Sequence, residues 1–269
     1  MSDQKLDAIM TGLLGFDAEY GGLKPGQLII LAGTTSVGKS ALGLQIAEHI
    51  ATGQNVIIFS LEMSVEEVTE RRIKRAGESA EKIKESNLYV SDSAVSSVEE
   101  IYREARILKQ REGLGLIVVD YLQLMRCDAI DSSASQECRR DGLTRGLKCL
   151  ARDLEVPILV VSQLHREAIE ANDHMLDHFW ESRAIRRDAD VVMFIHRRTD
   201  SEDDMCNLII AKHQSGRLQS FGMKFDAPRH EFTETDWGTG QDFEVNDFTN
   251  FPASDGVGPM SYADATSCD

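Results

Sequence analysis

The sequence predicts an α/β fold with a mostly parallel central sheet, flanked by helices and completed by a C-terminal antiparallel hairpin. Short apolar runs alternate with helical patterns, as in sheets whose parallel strands are buried on both faces. Two β-like runs near the C-terminus flank residues 214–216, whose composition is typical of a hairpin turn. A glycine-rich loop between the first strand and the first long helix has the spacing of a phosphate-binding loop.

Length and composition favour one large domain with short appendages. The chain has 269 residues, of which 42% are hydrophobic and 28% charged. It has no apolar run long enough to cross a membrane, and its first residues lack the pattern of a signal peptide. Its five cysteines form no CxxC pair, which is typical of reduced thiols in the cytoplasm. We expect a lead-in over 1–26, one main α/β domain over 27–235 and an acidic, disordered tail over 236–269.

Each element of the domain has a local signal. Apolar runs predict the strands, and a Ser-x-x-Glu capping box, serine caps or polar-apolar periodicity predict the helices. The predicted strands are 27–32, 55–61, 86–90, 116–120, 157–162 and 189–196, followed by the two hairpin runs from 206. The predicted helices are 39–51, one that begins after Ser64, one capped at Ser96 or Ser97 that runs to about residue 110, and 135–154.

The phosphate-binding loop follows the first strand directly. Glycines let backbone N–H groups approach phosphate oxygens, and the next helix points its positive dipole end at them. Lys39 is expected to reach the β- and γ-phosphates, and the Ser40 hydroxyl to bind Mg²⁺. The residues predicted to hold the nucleotide are Gly33, Thr34, Thr35, Ser36, Val37, Gly38, Lys39 and Ser40. A plain glycine turn between a strand and a helix is the alternative.

Three other strand ends supply polar residues where parallel sheets bind ligands. Asp120 ends one strand and can hold Mg²⁺, while Glu62 follows another and can polarise an attacking water. Gln163 follows a third strand, and its amide can sense the γ-phosphate. Glu62 taken alone would equally fit a helix N-cap, but three such residues behind a phosphate loop indicate a site built to hydrolyse nucleotides.

These motifs together resemble the C-terminal motor domain of DnaB-type replicative helicases, within the RecA-like ATPases. The matching stretches are GTTSVGKS (33–40), FSLEMS (59–64), LIVVDYLQLMR (116–126), VPILVVSQLHR (156–166) and RDADVVMFIHR (187–197). The resemblance spans about residues 11–233. It implies a RecA-like P-loop NTPase fold, ATP and Mg²⁺ as cofactors, and a homo-oligomeric ring, usually a hexamer, with ATP between neighbouring subunits. It also implies Glu62 as catalytic carboxylate, Asp120 as metal ligand and Gln163 as phosphate sensor.

The first departure from the family concerns the cations that act on a neighbour's nucleotide. The family has a Lys-x-Arg element on the hairpin, whereas this chain reads Lys212-His213-Gln214. Lys212 matches the family, and Arg217 lies three residues beyond the missing arginine. Arg217 either replaces that arginine through a shift in the hairpin or is a solvated turn residue. Weak ATPase activity of the isolated protein is compatible with both alternatives.

The second departure concerns the segment expected to face DNA. Five acidic residues and no Lys or Arg lie between Arg166 and Arg183, and phosphate contacts need cations. Glu181 matches the family, and we expect DNA contacts from Arg166, Glu181, Arg183 and Arg186. Phe179 and Trp180 either stack on bases or pack against the sheet. His174 and His178 form at most half of a metal site.

The third departure concerns the ends of the chain. Seven acidic residues and no Lys or Arg lie from Asp236 onward, so the net charge of −16 falls to −9 for the rest. The tail either docks on a basic replication protein or only aids solubility. Family members usually carry an N-terminal domain, and residues 5–9 match at most the end of its linker helix.

Three functions fit the sequence. The first is an ATP-dependent replicative DNA helicase that translocates on single-stranded DNA as a ring. The second is a RecA- or RadA-like recombination ATPase, against which the SLEM and DYLQL motifs argue. The third is a catalytically weak ATP-binding assembly partner of a full-length helicase, which the missing arginine and the acidic segment favour.

Overall fold

The structure, a computed structural model, describes residues 8–77, 83, 86–92, 97–125, 136–163, 183–197 and 204–235. Several predictions concern residues outside these ranges. They are the DNA contacts of Arg166 and Glu181, the His174–His178 pair, the aromatic pair Phe179 and Trp180, and the role of the tail.

One sheet of nine strands in the described part of the chain organises the fold. The strands are β1 (Leu28–Gly33), β2 (Val56–Ser60), β3 (Leu88–Ser91), β4 (Leu116–Asp120), β5 (Ile158–Gln163), β6 (Val191–Arg197), β7 (Met205–His213), β8 (Gln219–Asp226) and β9 (Glu231–Thr235). Their order is β3-β2-β4-β5-β1-β6-β7-β8-β9. The six strands from β3 to β6 are parallel, and β7 to β9 are antiparallel. The predicted fold class is confirmed, and all six parallel strands and the hairpin lie where the apolar runs predict them.

The helices cover both faces of this sheet. They are α1 (Leu14–Tyr20), α2 (Lys39–Ala51), α3 (Val65–Ala76), α4 (Val98–Glu112), α5 (Gln136–Asp153) and α6 (Arg183–Asp188), with a short 3-10 helix over Leu122–Leu124. The capping box at Ser64 and the cap at Ser97 are confirmed, because the two serines accept the backbone N–H of the third helical residue, Glu67 and Glu100 respectively. None of these helices is both long and apolar enough to span a bilayer.

Two hydrophobic layers result, one on each face. Helices α1 and α2 pack with one set of sheet side chains, which includes Ile29 and Leu31 of β1. Helices α4 and α5 pack with the opposite set, which includes Leu28 and Ile30. Strand β1 is therefore buried on both faces, which explains why its sequence is continuously apolar.

Residues 8–26 pack on the same core, although glycines punctuate them. Ile9 and Leu23 form an antiparallel bridge, and Phe16 of α1 is fully buried. The carboxylate of Glu234 accepts the N–H groups of Leu14 and Gly15 at 2.6 and 2.9 Å, which satisfies donors at the start of α1. The sequence patterns predict neither α1 nor β9, and these two elements hold each other in place.

A cluster of charges, in which two buried arginines share one partly buried carboxylate, joins α2 to α3. Glu48 of α2 pairs with Arg72 at 3.0 Å and with Arg75, and both arginines are buried. Arg75 also donates to the carbonyls of Ala41 at 3.1 Å and His230 at 2.8 Å. This cluster connects the first turn of α2 with the helix that follows Glu62 and with the turn between β8 and β9.

Candidate nucleotide-binding site

The phosphate loop connects β1 to α2 through a backbone that glycine makes possible. Gly33 lies between β5 and β6, opposite Gln163 and Ile195. A Cβ atom on Gly33 would lie 2.9 Å from the Ile195 carbonyl oxygen and 2.9 Å from Val37. Gly38 has a φ of 96°, and Ser36 also has a positive φ of 64°. The chain therefore turns tightly above the carboxyl ends of the parallel strands.

Strand β9 supports this loop from the side. A Cβ atom on Gly38 would lie 2.7 Å from the Phe232 ring and 3.3 Å from that of Phe225. The two rings pack with centroids 4.6 Å apart. Gln45 of α2 exchanges two hydrogen bonds of 2.8 Å with the backbone of Phe232. The sequence patterns do not predict a role for Phe232, because nothing in local spacing relates it to a loop almost 200 residues earlier.

Lys39 begins α2 and is buried against the loop. Its ammonium donates to the Thr34 carbonyl oxygen at 2.6 Å. Burial lowers the pKa of Lys39, and the negative charges of Asp120 and Glu62 oppose this shift. The ammonium therefore lies among loop carbonyls and carboxylates, where phosphate oxygens would compete for the same donor.

Asp120 is the most deeply buried carboxylate of the site. The pKa of Asp120 is raised to about 6. Burial is the largest cause and the charge of Glu62 adds to it, while a hydrogen bond from Ser40 and the charges of Lys39 and Arg71 oppose the shift. Its Oδ1 is buried and has no hydrogen-bond partner among the described residues. A buried carboxylate oxygen without a partner, beside a hydroxyl, is the donor set that a hard cation such as Mg²⁺ prefers. Ser40 and Asp120 thus fit the predicted metal role.

Replacing Asp120 with Asn should stabilise the metal-free protein at pH 7.5. The pKa of Asp120 rises on folding, so the folded protein binds the proton of this carboxyl more tightly than the unfolded chain does. The stability that proton binding contributes to the unmutated protein is complete below pH 3.8 and is lost as the pH rises through about 6. At pH 7.5 the loss is roughly 3 kcal/mol, from about 1.4 kcal/mol per pKa unit. Asn cannot ionise, so denaturant unfolding in EDTA should show the variant more stable by up to this amount.

The pH dependence separates this effect from general repacking. The stability difference between the Asp120→Asn variant and the unmutated protein should shrink as the pH falls toward 4. Exposed Asp153, at the end of α5, provides the matched control in an Asp153→Asn variant, which should leave stability nearly unchanged. A difference that stays constant or grows on acidification would contradict the assignment.

The other two strand-end residues lie at the same edge of the sheet. Glu62 is exposed just beyond β2, and its charge acts on both Lys39 and Asp120. Gln163 ends β5 opposite Gly33, and its side-chain amide donates to the Thr35 hydroxyl at 2.8 Å. The structure therefore brings together the predicted loop, metal ligand, carboxylate and sensor. Such an arrangement can bind phosphates and a cation and polarise a water.

The predicted cations of the hairpin lie at the opposite edge. Lys212 pairs with Val192 at the start of β6, whereas Gly33 pairs with Ile195 near its end. At about 3.3 Å per residue, Lys212 lies roughly 10 Å along the sheet from the level of the loop. Its ammonium donates to the carbonyls of Arg186, at 2.6 Å, and Ala189, and burial lowers its pKa.

Arg217 lies in the β7–β8 turn, beyond Lys212 and farther from the loop. Its side chain is 87% exposed, with a weak ion pair of 3.9 Å to Glu19. Its backbone is fixed, because the Tyr20 hydroxyl donates to the Arg217 carbonyl oxygen at 2.8 Å and the Tyr20 ring stacks on His213. Lys212 and Arg217 therefore do not join the cluster around Lys39 within one chain.

Two of the residues predicted to contact DNA are within the described part of the chain. Arg183 begins α6, and Arg186 is exposed on the same helix. The Arg186 carbonyl accepts the bond from Lys212, so α6 lies at the hairpin edge of the sheet. The structure thus separates the edge that has the phosphate loop and the residues predicted to act in nucleotide hydrolysis from an edge with exposed cations.

Comparison with known protein families gives one match over most of the chain. A family model described as the DnaB-like helicase C-terminal domain matches residues 8–78 and 72–234. Among curated proteins, the replicative DNA helicase DnaB of Geobacillus stearothermophilus is 34% identical over 263 positions, which cover 86% of this chain and 57% of that protein. The replicative DNA helicase DnaC of Bacillus subtilis (strain 168) is 32% identical over 260 positions, 84% of this chain and 56% of that protein. The chain thus spans somewhat over half the length of these relatives.

Solved structures show the same relationship in three dimensions. One of them, an ATPase domain, superposes with a TM-score of 0.78 at 27% identity, and the match covers 87% of this chain and 94% of that one. A DnaB-like replicative helicase, solved in work on its interactions with primase, gives a TM-score of 0.77 at 27% identity and covers 86% of this chain and 63% of that one. The structural similarity therefore extends over most of this chain.

Proposed function

This chain belongs to the DnaB-like helicase C-terminal domain family, and on that premise we propose that it is the ATP-hydrolysing motor of a replicative DNA helicase. The observation that supports this most directly is the cluster of Lys39, Ser40, Asp120, Glu62 and Gln163 at one edge of the sheet. Five residues from four separate segments meet there, and each has the chemistry that one part of ATP hydrolysis needs. We also propose a cytoplasmic location, where replication takes place.

ATP and Mg²⁺ would occupy the loop edge. The N–H groups of the loop and Lys39 would hold the β- and γ-phosphates, and Ser40 and Asp120 would hold the cation. Bound Mg²⁺ would neutralise charge on the phosphates. Glu62 is exposed, so it can orient a water and accept its proton. Gln163 would exchange the Thr35 hydroxyl for a γ-phosphate oxygen, which makes its position depend on the nucleotide.

We further propose a homo-oligomeric ring, most simply a hexamer, in which the hairpin edge of one subunit faces the nucleotide of the next. Arg217 is exposed on a fixed turn at the edge opposite its own phosphate loop. A cation supplied by a neighbour in this way can raise turnover about a thousandfold. Single-stranded DNA would pass through the ring and contact the segment after Gln163 and α6, including Arg183 and Arg186.

The decisive experiment combines ATP hydrolysis with strand separation. We expect single-stranded DNA to stimulate ATP turnover by the purified protein, ATP to increase its native mass, and a forked duplex to be unwound. A Lys39→Ala variant should lose turnover, because the phosphates lose their ammonium. Failure of the unmutated protein both to unwind the fork and to respond to DNA would refute the helicase function.

The same experiment tests a second function, an ATP-binding assembly partner of a full-length helicase. The exposed Gln214, which stands where the family has an arginine, favours this alternative. It predicts normal ATP binding, negligible turnover alone and restored turnover on mixing with a full-length family member. An Arg217→Ala variant that retains the turnover of the unmutated protein would show that Arg217 does not replace the missing arginine.

A further inference from the structure

The side chain of Gln123, in the 3-10 helix after β4, forms hydrogen bonds with the end of β5, the strand that ends at Gln163. The sequence motifs do not predict this contact. Its side-chain amide nitrogen donates to the Gln163 carbonyl oxygen at 2.8 Å and to the Ser162 hydroxyl at 3.1 Å. Its side-chain oxygen accepts the Gln163 N–H at 3.3 Å. One side chain therefore binds both backbone polar groups of the residue that reaches the phosphate loop.

The sheet explains why such a contact is needed there. The register between β4 and β5 ends at the pair Asp120–Val161, two residues before Gln163. Beyond that pair, β4 no longer supplies peptide groups to β5. A glutamine side-chain amide has the same donor and acceptor as a peptide group. Gln123 therefore replaces the peptide group that β4 would otherwise provide to β5, and continues the hydrogen bonding of the sheet as far as Gln163.

The amide is held in position by its own turn. Leu122 and Met125, on either side of this part of the turn, are buried with 3% and 8% exposure. The turn begins one residue after Asp120, the predicted metal ligand. Gln123 thus links β4, which ends at the predicted metal ligand Asp120, to β5, which ends at Gln163. The Gln163 side chain in turn contacts Thr35 of the loop.

We propose that Gln123 is a positioning residue for Gln163, and this rests on the proposed ATP hydrolysis. With its backbone fixed between Gly33 on one side and Gln123 on the other, Gln163 can respond to a γ-phosphate only by moving its side chain. Without Gln123, the strand end would shift and the amide would miss the phosphate oxygen. Small misplacements of this kind cost up to about a hundredfold in rate.

A Gln123→Met variant removes the three hydrogen bonds at nearly constant side-chain volume. We expect kcat for DNA-stimulated ATP hydrolysis to fall about 10- to 100-fold, while KM for ATP changes less than about twofold, since the loop and Lys39 are untouched. Exposed Leu124 in the same turn provides the matched control in a Leu124→Ala variant, which should retain full activity.

A double-mutant cycle with Gln163→Ala separates positioning from general weakening. If Gln123 acts through Gln163, adding Gln123→Met to Gln163→Ala should produce no further loss of kcat. Provided that the unmutated protein turns over ATP, two results would overturn the inference. One is a kcat of the double variant that falls by the product of the two single losses, and the other is a normal kcat in Gln123→Met. Absence of turnover in the unmutated protein would instead contradict the proposed function and, with it, this inference.

If Gln123→Met folds poorly, the kcat of Gln123→Ala, measured in the presence of saturating Mg·ATP, can be compared with that of the unmutated protein instead.

Amide hydrogen exchange provides a readout that does not depend on activity. The Gln163 N–H should exchange at least about tenfold faster in the folded variant, because its acceptor is gone. Equal protection of this amide in the variant and the unmutated protein would show that Gln123 does not fix the strand end.

Discussion

A Glu62→Gln variant should turn over ATP about 10²- to 10⁴-fold more slowly than the unmutated protein and still bind it. Gln is nearly the same size and keeps a hydrogen-bonding oxygen, but it cannot accept a proton from water at neutral pH. The loop, Lys39 and the Ser40–Asp120 pair remain, so affinity for Mg·ATP should change little. Single-turnover hydrolysis and fluorescent-nucleotide binding measure the two effects separately.

Glu66 provides the control for charge alone. It is exposed in the first turn of α3, only four residues from Glu62, and a Glu66→Gln variant removes the same charge from the same surface. Its turnover should equal that of the unmutated protein. If both variants lose activity equally, the effect is general electrostatics; if neither does, another group polarises the water.

The second large effect concerns stability. Glu48→Ala should lower the free energy of unfolding by about 3–5 kcal/mol, because it leaves the buried Arg72 and Arg75 without their shared carboxylate. For a domain of this size the melting temperature should fall by roughly 10 °C, at about 2–4 °C per kcal/mol. Thermal and denaturant unfolding by circular dichroism measure this loss.

Glu70→Ala provides the matched control on α3. Glu70 is exposed, and removing an exposed carboxylate should change stability by no more than about 0.5 kcal/mol. A Glu48→Ala protein as stable as the Glu70→Ala protein would show that the cluster does not stabilise the contact between α2 and α3. Because Arg75 also holds the Ala41 carbonyl, the Glu48 variant should bind nucleotide more weakly as well.

Most of the parallel sheet could be predicted because its signals are local. Ser64 and Ser97 cap their helices with a glutamate three residues away, and each buried strand is an uninterrupted apolar run. The meeting of Asp120, Glu62 and Gln163 could also be predicted, since parallel strands place their carboxyl ends at one edge. Helix α1 and strand β9 could not be predicted. Glycines in and around α1 indicate turns rather than a helix, and β9 has only five residues of modest hydrophobicity.

The phosphate loop and the strand-end residues Asp120, Glu62 and Gln163 could be identified from the sequence alone, since each depends on residue type at the end of a recognisable strand. Only the tertiary structure decided what surrounds them. It placed Phe232 against Gly38, brought the Gln123 side chain into hydrogen-bond contact with the Gln163 backbone, and located Lys212 and Arg217 at the opposite edge of the sheet. The physical reason is sequence separation: contacts between residues 40 to almost 200 positions apart leave no periodicity to read, and arise only when packing fixes the order and register of the strands.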